Sequence, residues 1–281
     1  MCEYEYTTSA SILTLTLILI HIERGINMKI IAVSNQKGGI GKTTTATNLA
    51  YGLKLRGKRV LLGDCDPQCN TSKTYRAKLV DGFPTLADLL FTNEPARECV
   101  QHTEFGDILA SDRALDEADT RLKGFARFFR LKTRLAELAT DYDYCILDTP
   151  PALNLLLQNA LIAADGVIVP ILSDSFSVDG LNDFYQTVID IRSQPNPDLK
   201  IYGLLLVRFD KRSVLNKEAA NALPAVAHKL DTAAFDTKIR HTVVVPESQV
   251  ARMPLFEYDS RCTAARDYHS FIDELERREI L

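Results

Sequence analysis

Five stretches of the chain are almost without charged residues: 29–34, 59–63, 144–147, 166–171 and 200–207. Their lengths suit strands. Their apolar residues are contiguous rather than alternating, as central parallel strands covered on both faces require. Residues 42–57, 124–139, 155–163, 177–193, 214–229 and 261–279 carry apolar residues at helical spacing, and Gly57 with Lys58 closes the first of these. The region between 64 and 120 is looser, with short helical patterns only. Strands alternating with helices predict an α/β fold: a doubly wound, mostly parallel sheet flanked by helices. No internal repeat and no long Pro/Gly/Ser linker interrupts the pattern, so residues 28–281 are expected to form a single domain.

Residues 1–27 do not fit this pattern. The apolar run 12–20 is too short to span a bilayer as a helix. Glu3 and Glu5 precede it where a secretory signal would carry basic residues. Met28 opens a clean strand. The favoured reading is a native start at Met28, with 1–27 an extension outside the native protein. An added edge strand and a membrane or partner contact are the alternatives.

Composition narrows the classes. The 281 residues are 46% hydrophobic and 25% charged, which is ordinary globular usage and excludes disordered and collagenous chains. With 33 Lys and Arg against 37 Asp and Glu, the net charge of -4 excludes a globally basic nucleic-acid binder but not a local basic patch. Of six cysteines only Cys65 and Cys69 lie close together, without a second pair or nearby histidine, so the expectation is small buried side chains rather than a zinc site. The histidines form no metal spacing, and no local Ser-His or Cys-His signature suggests covalent catalysis.

The chemistry concentrates after the strands. Lys37-Gly38-Gly39-Ile40-Gly41-Lys42-Thr43-Thr44 joins the first strand to the first helix. Between Gly38 and Gly41 stand two residues where the usual GxxxxGK[ST] loop has four, so the loop is a variant P-loop. Glycines there let backbone N–H groups converge on phosphate, and the helix presents its N-terminus to the same anion. Lys42 can reach β and γ phosphates, and the Thr43 hydroxyl can ligate Mg²⁺. Asp64 and Asp66 follow the second strand and Asp148 ends a later one. Ligands of open parallel sheets bind outside those C-terminal strand ends, where the three carboxylates can converge.

These motifs, with Asp64-Cys65-Asp66-Pro67-Gln68-Cys69-Asn70 and Leu147-Asp148-Thr149-Pro150-Pro151, make the chain from Met28 onward resemble the ParA/Soj partition ATPase family, within the MinD-like deviant Walker A group of P-loop NTPases. Weaker support comes from residues 164–170 and from Asp210-Lys211-Arg212. The resemblance implies ATP and Mg²⁺ as cofactors, with residues 37–44 as the nucleotide cradle. It makes Lys37, Lys42 and Asp66 catalytic: Lys37 is the signature lysine that reaches the partner subunit's phosphates, Lys42 the P-loop lysine, and Asp66 the residue that orients water. It assigns Thr43, Asp64 and Asp148 to magnesium. It implies slow, partner-stimulated ATP hydrolysis, an ATP-dependent homodimer binding double-stranded DNA non-specifically, a centromere-binding ParB-like partner, and a cytoplasmic, nucleoid-associated protein that segregates a plasmid, integrated element or chromosome. The alternative is a nucleotide-gated positioning protein for a non-DNA cargo.

The match frays at one loop. Family members often have Pro-Arg-Asn-Val-Arg and then Glu-Ala-Pro, where this chain has Arg240-His241-Thr242-Val243-Val244 and then Glu247-Ser248-Gln249. Val244 replaces the second arginine, leaving Lys211, Arg212, Arg240 and Arg252 as candidate DNA contacts. Residues 121–134 hold six basic residues and no acid, among them Lys123, Arg127, Arg130 and Arg134 at helical spacing. A surface helix with an aromatic core face is the expectation over a nucleic-acid or membrane surface. The tail helix, rich in acids, does not resemble a basic membrane anchor, so no membrane partner is expected.

Overall fold

The computed structural model describes residues 28–173 and 178–281. The extension 1–27 and residue 177, the expected start of one helix, lie outside the described residues. Seven strands form one sheet: β1 (Lys29–Val33), β2 (Val60–Asp64), β3 (Gln101–His102), β4 (Asp107–Leu109), β5 (Tyr144–Asp148), β6 (Gly166–Leu172) and β7 (Lys200–Val207). Their order is β3-β4-β2-β5-β1-β6-β7, parallel throughout except for the short antiparallel pair β3-β4 at one edge. The five strands expected from sequence are all present. The two extra edge strands fall in the looser region, where runs of two and three residues carry no periodic signal.

Side chains alternate between the faces of each strand, and both faces are covered. Ile31, Val33, Leu62, Ile146 and Leu205 meet the helix α1 (Lys42–Leu55) and the helix Thr263–Arg277 on one side. Ala32, Leu61, Cys145, Leu147 and Leu206 meet the helices Leu86–Phe91, Arg130–Ala136, Leu155–Ala163 and Val178–Ser193 on the other. This two-sided burial is why the strands read as unbroken apolar runs. The five described cysteines are buried and unpaired, as small core residues.

Thr263–Arg277 fits over α1 through its apolar face. Phe271, Ile272 and Leu275 are fully buried, and Tyr268 Oη lies 3.1 Å from Thr45 Oγ1. Phe271 meets the Phe235 ring edge-on at 4.9 Å. Phe271→Ala is expected to cost about 3–5 kcal/mol of stability, read as a lower denaturant midpoint with an unchanged slope.

One expected element differs. Residues 124–139 do not form a continuous helix: a 3-10 segment, Phe125–Phe129, precedes the helix Arg130–Ala136. Gly124, at φ 70, turns the chain into it. The change of pitch breaks the expected line of basic residues. Arg130 and Arg134 turn inward, Arg130 donating to the carbonyls of Leu90 and Thr92 and Arg134 to those of Leu89 and Glu94. They satisfy the end of the helix Leu86–Phe91 and the loop after it. Of the three phenylalanines, Phe128 and Phe129 pack on the core whereas Phe125 is exposed.

Candidate functional site

Strand register brings the site together. Val33 and Asp64 both pair with Asp148, so β1, β2 and β5 end level. The chain leaving β1 turns through the glycine-rich loop into α1. Gly39 and Gly41 hold φ 71 and 83, conformations that side-chain-bearing residues adopt only with strain. Gly41 caps α1 without a side-chain acceptor, and the first turn carries no acid. The leading N–H groups of α1 are therefore free to meet an anion.

Lys42 is buried, and its Nζ donates to the carbonyl of Lys37 at 2.8 Å. Burial lowers its pKa, against the opposing pull of Asp148 and Asp66. Thr43 Oγ1 donates to Asp148 Oδ2 at 2.7 Å, and Thr71 Oγ1 donates to the same oxygen at 2.7 Å. Asp148 Oδ1 is buried with no hydrogen-bond partner among the described residues. Burial pushes the Asp148 carboxyl upward, opposed by the two threonine hydroxyls and Lys42. Burial and the charge of Asp148 push Asp64 upward as well. The unpartnered Asp148 oxygen and the Thr43 hydroxyl form an all-oxygen pair suited to a hard divalent cation, with the buried Asp64 carboxylate behind them.

The aspartates differ in placement. Asp64 is fully engaged by the chain: Oδ2 accepts from Ser72 N and Oγ at 2.8 and 2.6 Å, and Oδ1 accepts from Asp66 N at 3.2 Å. It fixes the loop that carries Asp66. Asp66 itself is half-buried, its Oδ1 accepting only from Gln68 N at 3.0 Å, and it lines the same cavity as Lys42 and Thr43. Lys37 is exposed and its side chain makes no hydrogen bond or ion pair among the described residues.

A cavity of about 760 Å³ continues from residues 38–44 to Val207, Ile239, Val245, Pro246 and Gln249. This is within the usual size of small-molecule sites. Gln249 Nε2 donates to Thr44 Oγ1 at 2.9 Å and joins its far wall to the phosphate loop. Arg240, a candidate DNA contact, also lines it, its guanidinium clamped on Asp267 at 2.5 and 2.9 Å. The structure thus gathers the phosphate-loop, magnesium and Asp66 candidates in one place, with Arg252 exposed at the rim and Lys211 and Arg212 exposed in the loop after β7.

A profile of the AAA domain family matches residues 28–201. The chromosome partitioning protein ParA of Caulobacter vibrioides is 35% identical over 257 residues, covering 90% of this chain and 95% of that protein. The chain belongs to the ParA family. Another ParA-family relative is the sporulation initiation inhibitor protein Soj of Bacillus subtilis, 34% identical over 250 residues, 88% of this chain and 98% of that protein. Among solved structures, the cobyrinic acid a,c-diamide synthase of Mycobacterium smegmatis with bound ADP and magnesium has a TM-score of 0.78 at 29% identity, covering 90% of this chain and 96% of that one.

Thr71, Ser72, Ser111 and Gln249 also hydrogen-bond to the candidate site residues, and sequence reasoning does not single them out. Ser111 Oγ donates to the Asp66 carbonyl at 2.6 Å, and its N–H donates to Ser72 Oγ at 2.8 Å. The one available signal was the hydroxyl pair Thr71-Ser72 directly after the Asp66 loop, at the opening of a short helix.

Proposed function

We propose that this ParA-family chain is a Mg²⁺-dependent ATPase that segregates DNA, with an ATP-bound dimer holding DNA non-specifically and hydrolysis releasing it. The convergence of buried Lys42, the Thr43 hydroxyl and the unpartnered Asp148 oxygen carries the nucleotide part of this reading. The ParA and Soj relatives support the segregation part.

The α1 amides and Lys42 hold the β and γ phosphates. The walls at Val207, Ile239 and Pro246 take the base. Thr43 and Asp148 would hold magnesium, which would supply charge neutralisation on the phosphates. Asp64 holds the Asp66 loop in place, and Asp66 orients the attacking water. Lys37, exposed and uncommitted, stabilises the charge developing on the partner subunit's γ phosphate. Lys211, Arg212 and Arg252 supply phosphate contacts that need read no base. A protein of this kind resides in the cytoplasm on the nucleoid, and a ParB-like DNA-bound partner accelerates its slow turnover. Among the described residues no helix is long and apolar enough to cross a membrane.

The test is binding of random duplex DNA across a salt series, with ATP and Mg²⁺, with ADP, and without nucleotide. The expected result is ATP-specific binding that weakens as salt rises. Lys37→Ala should lower it to the nucleotide-free level while ATP uptake by the monomer persists. Dimerisation with ATP but no DNA retention at any salt would overturn the DNA reading and favour a non-DNA cargo.

A further inference from the structure

The basic segment 121–134 takes no part in the nucleotide site. With Arg130 and Arg134 turned inward, Arg121, Lys123, Arg127 and Lys132 remain, and none makes an ion pair among the described residues. Phe125 stands among them, 72% exposed, its ring 6.1 and 5.5 Å from those of Phe128 and Phe129. Arg127 lies over Phe128 at 4.8 Å and Arg121 over Phe91 at 4.2 Å. Stacking steadies both guanidinium groups while leaving their N–H edges available. The complement of this knob is a groove with a few exposed apolar side chains among unpaired carboxylates.

The same chain carries one. An open groove of about 780 Å³ is lined by five acids against two bases. Asp81, Glu94, Glu98 and Asp112 among them make no ion pair among the described residues. Val80 and Phe83 in its wall are 64% and 38% exposed. Knob and groove border one another across residues 91–94: Arg121 covers Phe91, Arg130 holds Thr92 and Asn93, and Glu94 lines the groove. Phe125 lies outside the groove's lining. Two copies related by a two-fold axis can therefore exchange knobs, making the same contact twice.

We propose that this face is a self-association surface, with Phe125 and its surrounding cations of one copy seated in the acidic groove of a second. The knob holds no nucleotide-site residue, whereas the groove reaches Gln68 and Ser111 beside Asp66; the contact forms without ATP, which separates it from the ATP-dependent dimer proposed above.

The experiment is sedimentation of the nucleotide-free full chain at low and high salt, with Lys123→Glu/Arg127→Glu, Glu94→Lys/Glu98→Lys, and an equimolar mixture of the two variants. Wild type is expected to self-associate at low salt and dissociate at high salt. Each variant alone should associate about tenfold more weakly or worse, because its knob and groove then carry like charge. The mixture should recover association, since both contacts again join opposite charges; recovery would also show that both variants are folded. A monomeric wild type, or a mixture no better than its components, would overturn the proposal. Duplex DNA and phosphatidylserine vesicles serve as parallel arms. Binding to either that is lost in the knob variant alone, without self-association, would reassign the knob to that surface and overturn the proposal.

Discussion

Lys42→Ala is expected to reduce ATP affinity by at least about a hundredfold and to leave no measurable hydrolysis. Among the described residues Lys42 is the buried cation facing Asp148 and Asp66, and its Nζ donates to the Lys37 carbonyl. Alanine removes the charge, leaves that carbonyl without its donor, and increases the repulsion between phosphates and the two aspartates. Lys42→Arg keeps the charge but on a longer, planar head that cannot make the same single Nζ contact to the Lys37 carbonyl, so it should recover little. Calorimetric titration with ATP and Mg²⁺ measures the effect directly. Wild-type affinity in Lys42→Ala would show that phosphates are held elsewhere.

Asp66→Ala should separate binding from turnover. Its carboxylate accepts a single hydrogen bond, from Gln68 N, whereas its backbone is anchored independently through Asp64 and Ser111. The loop should therefore keep its shape. ATP affinity is expected within about threefold of wild type, while single-turnover hydrolysis falls by about 10²–10⁴, the usual contribution of a positioned water-orienting group. Under the function proposed here, the DNA-bound state then outlives that of wild type, visible as a longer dwell after free ATP is washed away. A parallel loss of ATP binding would show that Asp66 holds the nucleotide rather than acting on water.

Both predictions rest on residues legible from sequence because their chemistry is local. Lys42 and Thr43 sit inside one strand–loop–helix segment, and the position of Asp148 follows from the strand it ends. The supporting hydrogen bonds were not legible. Thr71 reaches Asp148 across 77 positions and Ser111 reaches the Asp66 carbonyl across 45, distances that only the sheet order closes. Pairing hid the state of Arg240 in the same way, since Asp267 lies 27 positions further on. Helical spacing misled at Arg130 and Arg134, because it assumed a pitch that the 3-10 segment at Phe125–Phe129 does not keep. Spacing reads isolated charges poorly when loop carbonyls compete for them.

The cover over α1 has a consequence for synthesis. The phosphate loop and α1 are among the first described residues to leave the ribosome, but Tyr268, which closes over Thr45, follows 223 residues later. Leu255, whose N–H Asn48 accepts at 2.8 Å, follows 207 residues later. Until then the apolar side of α1 is open and one wall of the cavity does not exist. A nascent or prematurely ended chain therefore shows its phosphate motif without a completed pocket around it. Such long-range closure folds slowly and exposes apolar surface while it waits, which suits engagement by a holdase chaperone. Acquisition of nucleotide affinity thus becomes a readout of completed translation, and stalled fragments should neither compete for ATP nor poison the assembled protein.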